Sequence, residues 1–145
     1  MKIAIRTDAS IDIGIGHVMR CLTLADSLKE KGAEVVFVCR EHKGNSIELI
    51  QNKGYVVHKL PKLKIINPSH NILKKGNIEH MRWLGGAQDE DAILCKEVLL
   101  RKDKLDWMIV DHYAIDETWQ LQLKNTYNNF MVIDDLGNRK HICDI

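Results

Sequence analysis

The sequence predicts an α/β fold: a doubly wound, mainly parallel Rossmann-like sheet with helices on its faces. Its 145 residues suit a single domain, and 45% of them are hydrophobic, which is enough to bury a core. Short β-branched runs alternate with segments whose apolar residues recur at helical spacing. Such alternation is typical of parallel strands joined by right-handed helical crossovers.

The first βαβ unit is predicted within residues 2–39. A β-branched run over 2–7 predicts the first strand, and a glycine-containing turn leads into a helix over 17–32. The helix pattern closes with lysines and Gly32, which are favoured at a helix C-terminus. The apolar run over 34–39 predicts the second strand.

The remaining chain continues this alternation. A more polar third strand over 55–60 is expected at a sheet edge, and residues 61–80, with two prolines and no sustained period, are expected to form a loop. If the strand order is 3-2-1-4-5, strands one and four flank the point where the order reverses. The other predicted elements are helices over 45–54, 85–102 and 116–126 and strands over 106–111 and 130–135.

Charge and cysteine content restrict the partners and the compartment. The 21 basic and 20 acidic side chains leave a formal charge of +1, so no global field attracts nucleic acid or an anionic membrane. No apolar run is long enough for a signal-peptide core or a membrane span. The cysteines lack CxxC or zinc spacing, and we interpret them as reduced, buried thiols of a cytoplasmic protein: Cys21, Cys39, Cys95 and Cys143.

Polar residues follow three of the predicted strands, where open parallel sheets bind ligands. Asp8 and a Gly14–His17 turn follow the first strand. Gly14 and Gly16 permit close backbone approach, and the helix N-terminus offers free N–H groups to an anionic or hydroxyl-rich ligand. The spacing GxGxxM, without an acidic residue ending strand two, disfavours a nicotinamide cofactor. Alternatively, the glycines only let a strand turn into a helix.

His17 is the candidate general base. An imidazole titrates near neutral pH, and the positive end of a helix dipole favours its neutral, proton-accepting form. A carboxylate from strand four or five would fix its tautomer. The alternative is a surface or capping histidine. Further acceptors or orienting groups follow strands four and five: Asp111, His112, Tyr113, Asp134 and Asp135.

Several other polar and aromatic residues have structural interpretations. Asp135 is a candidate cap for a turn toward Gly137. The remaining histidines form no metal-ligand spacing, so no metal site is predicted. We interpret Trp83, Trp107 and Trp119 as packing residues, although the segment WLGG that begins at Trp83 is a candidate second lip of the cleft.

Five motifs in order along nearly the entire chain carry a resemblance. They resemble motifs of the UDP-2,4-diacetamido-2,4,6-trideoxy-β-L-altropyranose hydrolase family of pseudaminic acid biosynthesis and of related spore-coat polysaccharide biosynthesis proteins. The motifs are RTDASIDIGIGHVMRCLTLADSL (6–28), CREHKGN (39–45), WLGGAQDEDA (83–92), IVDHYAIDETWQ (109–120) and VIDDLGNRKHICDI (132–145).

The resemblance implies one half of a two-domain glycosyltransferase-B-type fold, with the active site between two Rossmann-like halves. Residues 1–145 would be the N-terminal half, and the apolar ending of the chain at Ile145 also predicts a longer protein. The nucleotide would be held chiefly by the C-terminal domain, the expected partner within the same protein, and this portion alone is expected to be inactive.

The implied reaction is hydrolysis of a UDP-sugar, without a cofactor, by water that attacks and inverts the anomeric carbon. UDP is a good leaving group, so a base and positioning are needed more than a strong acid or a metal. By the resemblance His17 is the base. The candidate substrate-binding or orienting residues are Gly14, Gly16, Asp8, Arg20, Asp111, Tyr113 and Asp134.

Two other functions remain open at this point. A glycosyltransferase would use the same half-domain but pass the sugar to an acceptor. A non-catalytic nucleotide-sugar-binding module would need no histidine chemistry.

Overall fold

The computed structural model describes residues 1–62, 80, 82–99 and 104–145. Five parallel strands form one sheet, in the order β3-β2-β1-β4-β5, so the predicted fold class and strand order are confirmed. The strands are β1 (Lys2–Thr7), β2 (Glu34–Arg40), β3 (Val56–Leu60), β4 (Leu105–Asp111) and β5 (Tyr127–Val132). The helices are α1 (Gly16–Glu30), α2 (Ile47–Asn52), α3 (Gln88–Leu99) and α4 (Glu117–Leu123).

One face of the sheet is covered by α1 and α2. Their apolar residues pack on alternate side chains of the strands, as the period-two geometry of a strand requires. A helix covered on one side by a sheet needs only one apolar stripe, which is the pattern seen in α1. This core includes Val18, Cys21, Leu22, Ala25 and Ile50 from the helices and Ile3, Ile5, Val35, Phe37 and Ile109 from the strands.

The opposite face is covered by α3 and α4. Trp119 is fully buried there, and it packs edge-on against Phe130 with ring centroids 6.4 Å apart. The carboxylate of Asp116 caps α4 by accepting a hydrogen bond from the backbone N–H of Thr118 at 2.8 Å. With a helix layer on each face, the sheet is buried on both sides, as parallel sheets generally are.

The observed boundaries differ from the sequence prediction mainly at the fifth strand. The prediction of 130–135 is wrong by three residues, because the strand occupies Tyr127–Val132. Its asparagines resemble turn residues in the sequence, yet Asn129 is accommodated because its side-chain amide donates to the Asp106 carbonyl at 3.0 Å. Asp134 and Asp135 therefore follow the strand instead of ending it.

Other expectations fall on the edges of the sheet or outside the described residues. β3 is an edge strand, as predicted, and Gly32 and Gly54 follow α1 and α2 with φ values of +82° and +85°. The predicted loop over 61–80 and the predicted end of the helix over 85–102 lie largely outside the described residues. Within the described part of the chain, every helix is too short or too polar to cross a lipid bilayer.

Candidate active site

The site is built at the carboxyl edge of the sheet, where β1 and β4 are neighbours. Thr7 pairs with Asp111, so the loop after β1 and the loop after β4 emerge side by side. Ser10 organises the first of these loops, because its carbonyl accepts a hydrogen bond from Gly14 N–H at 2.9 Å. Gly14 has φ +77°, a left-handed conformation that glycine adopts without strain. This turn delivers Gly16 and His17 to the first turn of α1.

His17 contacts a buried carboxylate of β4. Its Nδ1 atom lies 2.6 Å from Oδ1 of Asp111, whose side chain is fully buried. At this distance from a carboxylate Nδ1 carries a proton and donates it, which leaves the Nε2 lone pair as the accepting site. The imidazole is itself 8% exposed, so little freedom of rotation remains. The His17 imidazole therefore has the orientation and the tautomer that allow it to accept a proton through Nε2.

Arg20 stabilises the charge on Asp111 from the next turn of α1. Its Nε donates to Oδ2 of Asp111 at 2.5 Å and its Nη2 donates to Oδ1 at 2.6 Å, which is a bidentate arrangement. Burial alone would raise the pKa of Asp111, but the hydrogen bonds from Arg20 and His17 hold it below its usual range. Asp111 is therefore a permanent anion behind the imidazole.

Tyr113 closes a ring of contacts around His17. Its hydroxyl donates to Oδ2 of Asp135 at 2.7 Å, and the same Asp135 oxygen accepts from Nη1 of Arg20 at 2.5 Å. The Tyr113 ring meets the His17 ring edge-on, with centroids 4.5 Å apart and planes at 84°. The sequence proposed Arg20, Asp111 and Tyr113 as contacts for a substrate; the structure brings them together around His17.

Trp83 extends this arrangement on the outer side. Its ring stacks on Tyr113 with centroids 5.7 Å apart and an interplanar angle of 25°, and it lies 6.5 Å from the His17 ring. The other tryptophans have the packing roles predicted for them, since Trp119 is buried and Trp107 packs against the core. Trp83, in contrast, is a component of the site that sequence reasoning assigned to packing. Its signal was the WLGG segment, which the sequence analysis did single out.

Asp8 lies in a second cluster at the end of β1. Its side chain is fully buried, 2.6 Å from Nη1 of Arg6 and 3.2 and 3.3 Å from the Nε2 atoms of His112 and His42. Burial opposes ionisation, but Arg6 and the two histidines hold the pKa of Asp8 well below its ordinary value. His112 accepts a hydrogen bond from Ala114 N–H through Nδ1 at 3.1 Å, so its Nε2 carries the proton and faces Asp8.

A buried charge network supports this second cluster from the α3 side. Asp91 accepts from Nε and Nη2 of Arg6 at 3.2 and 2.7 Å and from Nη2 of Arg40 at 2.6 Å. It also accepts from the indole N–H of Trp119 at 2.8 Å. Local patterns in the sequence do not predict these interactions, because Asp91 is separated by 85 residues from Arg6 and by 51 from Arg40.

The two aspartates after β5 take part in different contacts. The carboxylate of Asp134, proposed as a substrate contact, accepts from the backbone N–H groups of Leu136 and Gly137 at 3.1 and 3.2 Å. It also receives Nη2 of Arg139 at 2.6 Å. Asp135, predicted as an orienting group or as the cap of this turn, accepts from Arg20 and Tyr113. The turn toward Gly137 is therefore capped by Asp134, and the prediction of Asp135 as its cap is wrong.

The four cysteines are free thiols. Cys21, Cys39 and Cys95 are buried free thiols, as predicted, whereas the prediction is wrong for Cys143, which is exposed. Burial raises the pKa of each of the three buried thiols, which makes them poor nucleophiles. Among the described residues no group of histidine, cysteine and acidic side chains has the arrangement of a metal site.

Sequence comparison relates the chain to three curated proteins, while no protein-family profile matches it. An uncharacterised glycosyltransferase of Methanosarcina acetivorans is 31% identical over 116 residues, covering 77% of this chain and 28% of the relative. An uncharacterised protein of Methanocaldococcus jannaschii is 34% identical over 86 residues, 54% of this chain and 18% of the relative.

The third relative matches over the full chain. It is the UDP-2,4-diacetamido-2,4,6-trideoxy-β-L-altropyranose hydrolase of Campylobacter jejuni, 24% identical over 147 aligned positions that cover 100% of this chain and 40% of the relative. The chain thus spans less than half the length of each curated relative. At the level of sequence, these matches relate the chain to glycosyltransferase-like proteins, and its sheet is consistent with one half of a glycosyltransferase-B-type fold.

Proposed function

We propose that this chain is the N-terminal Rossmann-like part of a cytoplasmic hydrolase that releases UDP from a UDP-2,4-diacetamido-trideoxy sugar, in pseudaminic-type acid or surface polysaccharide biosynthesis. The carrying observation is the 2.6 Å contact between His17 and Asp111 at the carboxyl edge of the sheet. The match of the hydrolase relative along the whole chain supports the substrate class. A second domain of the same protein supplies the remaining nucleotide contacts.

In this proposal His17 acts as the general base. Its Nε2 accepts a proton from water as the water oxygen bonds to the anomeric carbon of the sugar. The bond between that carbon and the diphosphate oxygen breaks with its electron pair on UDP, and the anomeric configuration inverts. UDP is a stable leaving group, so the step needs no carboxylic acid of the kind that glycosidases use.

Asp111 and Arg20 prepare the base without touching the substrate. Asp111 fixes the imidazole tautomer and stabilises the imidazolium that forms when Nε2 takes the proton. Arg20 keeps Asp111 ionised and in place through its bidentate contact. Gly14 and Gly16, just before and at the start of α1, have no side chains and have open space around them, so that the sugar can approach the backbone.

The test is a His17→Ala substitution in the intact protein, with UDP release measured from UDP-2,4-diacetamido sugars of defined stereochemistry. We expect UDP release to fall on the order of 10²–10⁴-fold, the typical contribution of a general base, while the variant remains folded. His58→Ala, on the edge strand β3, is the matched control and should retain activity. Wild-type turnover by His17→Ala would eliminate the proposed role.

A glycosyltransferase is the second candidate, because a relative described as one shares more identity with this chain than the hydrolase does. Both enzymes cleave the same bond and differ in what attacks the anomeric carbon. UDP release that requires an added acceptor, with the sugar recovered on that acceptor, would assign the transferase. UDP release into water alone would assign the hydrolase, and binding without any product would contradict both.

A further inference from the structure

An open groove of about 610 Å³ lies next to the His17 site. Three segments of the chain border it, the loop after β1, the turn after β2 and the segment around Trp83, and Lys62, which follows β3, also lines it. Its lining includes Ser10, His42, Lys43, Lys62, Arg82 and Trp83. Trp83 is shared by the groove and the His17 site, since its ring centroid lies 6.5 Å from that of His17.

The groove carries an excess of positive charge. Lys43, Lys62 and Arg82 are exposed and form no ion pair with any described residue. Asp12 is the only carboxylate among the described lining residues. Arg40 also borders the groove, but its charge is neutralised by Asp91 at 2.6 Å. In a chain whose formal charge is +1, this concentration of unpaired cations is local to the groove.

Close packing holds the three segments in place. The backbone N–H of Ile11 donates to the Lys43 carbonyl at 3.2 Å, and a Cβ on Gly44 would lie 2.8 Å from Cγ1 of Ile11. A Cβ on Gly85 would lie 2.9 Å from Cε1 of His42. Both glycines have positive φ, +75° and +76°. The groove walls are therefore fixed against one another.

His42 is held by a buried anion. Its Nε2 lies 3.3 Å from Oδ2 of Asp8, and because Asp8 is ionised, Nε2 carries the proton and donates. The imidazole is oriented in the way that Asp111 orients His17. Its remaining nitrogen, Nδ1, is on the edge of the ring that faces Gly85 and the groove.

We propose that this groove is a phosphate-binding subsite, in which Lys43 and Arg82 contact the oxygens of a phosphate or diphosphate group. The inference rests on the proposed function for its ligand, since a nucleotide-sugar enzyme handles phosphorylated compounds. Two sources share this chemistry: the diphosphate of the nucleotide sugar, or a phosphate on a second substrate that accepts the sugar. Phosphate oxygens are recognised in proteins by the guanidinium group of arginine and the ammonium group of lysine.

The experiment is calorimetric titration of the intact protein with inorganic pyrophosphate, with UDP and with uridine. The variants are Lys43→Ala, Arg82→Ala and their combination, and Lys31→Ala, at the opposite end of α1, is the matched control. We expect pyrophosphate affinity to fall about tenfold for each groove cation removed, as for loss of a charge-assisted hydrogen bond, and to be unchanged in the control. Added salt should weaken wild-type binding.

The arms of the experiment identify the source of the phosphate. A parallel loss of UDP affinity in the groove variants assigns the diphosphate of the nucleotide sugar. If the groove variants lose affinity for pyrophosphate but not for UDP, the result assigns a phosphorylated second substrate. The subsite is overturned if the variants bind pyrophosphate as wild type does, or if they lose uridine affinity, which would mean that the groove reads the base. Binding needs no turnover, so His17→Ala should still bind pyrophosphate even if the proposed hydrolysis fails.

Discussion

The Nδ1 atom of His17 lies 2.6 Å from Oδ1 of Asp111, although the two residues are 94 positions apart in the chain. The contact exists because β1 and β4 are neighbours, with Thr7 paired to Asp111. It places a buried, ionised carboxylate directly behind the imidazole. The pair is consequently the most sensitive point at which to test the proposed chemistry.

Asp111→Asn should lower kcat on the order of 10²–10⁴-fold with a smaller effect on KM, because an amide cannot hold the imidazole in the same tautomer or stabilise its protonated form. The measurement is steady-state UDP release by the intact protein. Asp106→Asn is the control: it lies at the amino end of the same strand and accepts from the backbone N–H of Lys2 at 2.7 Å. A kcat equal to that of wild type in Asp111→Asn would remove this carboxylate from the mechanism.

Asp91→Ala should destabilise the fold by about 3 kcal/mol or more, because Arg6 and Arg40 would remain buried without their shared carboxylate. Urea unfolding monitored by circular dichroism measures the change. Asp89→Ala is the control on the same helix, since its carboxylate is exposed and accepts a hydrogen bond from Gln122. A stability loss no larger than that of the control would indicate that the network does not stabilise the fold.

Stability should decrease as the solution is acidified through the range from pH 3.8 to about 2. Arg6 and Arg40 hold the pKa of Asp91 at about 2, against an ordinary value of 3.8 and against the effect of burial. A lowered folded-state pKa contributes stability that is present above the unfolded value and is lost as the pH falls through the folded value. This one group accounts for about 2 kcal/mol.

Denaturant unfolding at a series of pH values measures this slope. The pKa values of Asp8 and Asp111 are also lowered, so the wild-type slope should exceed that of Asp91 alone. Asp91→Asn should show a shallower decrease over the same range, since its amide does not titrate. Parallel curves for the two proteins would contradict the assignment.

Gly85→Ala should cost more stability than Gly32→Ala, although both glycines have positive φ, +76° and +82°. Each pays the left-handed backbone strain of about 1 kcal/mol, but space around Gly32 is open, whereas a Cβ at Gly85 meets His42 at 2.9 Å. His42 cannot yield freely because it is held by Asp8. We expect a further loss of about 1–3 kcal/mol in urea unfolding. Equal losses would show that the segment around Trp83 does not pack tightly against His42.

The fold could be predicted to a large extent from local patterns. β1 is predicted without error because its β-branched run is bounded by charged and polar residues, and the alternation with helices determines a parallel sheet. The prediction for β5 was displaced by three residues because Asn128 and Asn129 have low strand propensity. Only the pairing with β4 overrides this low propensity. Residue type therefore predicts a strand poorly where hydrogen bonds to a neighbouring strand compensate for low strand propensity.

The residues of the candidate site could be predicted better than the contacts between them. Asp111, Tyr113 and the turn that carries His17 were singled out because polar residues at strand ends collect at one edge of a parallel sheet, whereas Arg20 was proposed from the family resemblance. The particular pairs, Asp111 with His17 and Asp135 with Arg20, were not predictable. Each depends on side-chain direction, which a shift of one residue along a strand reverses.

The sequence by itself determined the class of fold and the histidine in the first turn of α1, because strand and helix periodicity and glycine turns are local properties. Only the tertiary structure decided the strand order, that Asp111 orients His17, that Asp8 holds His42, and that one groove is lined by cations without an ion-pair partner among the described residues. These contacts join residues tens of positions apart. They form because burial on both faces of the sheet brings distant polar groups to one edge. A polar group that is buried there needs a hydrogen-bond or ion-pair partner, and one without a partner stays at the surface, where a ligand can contact it.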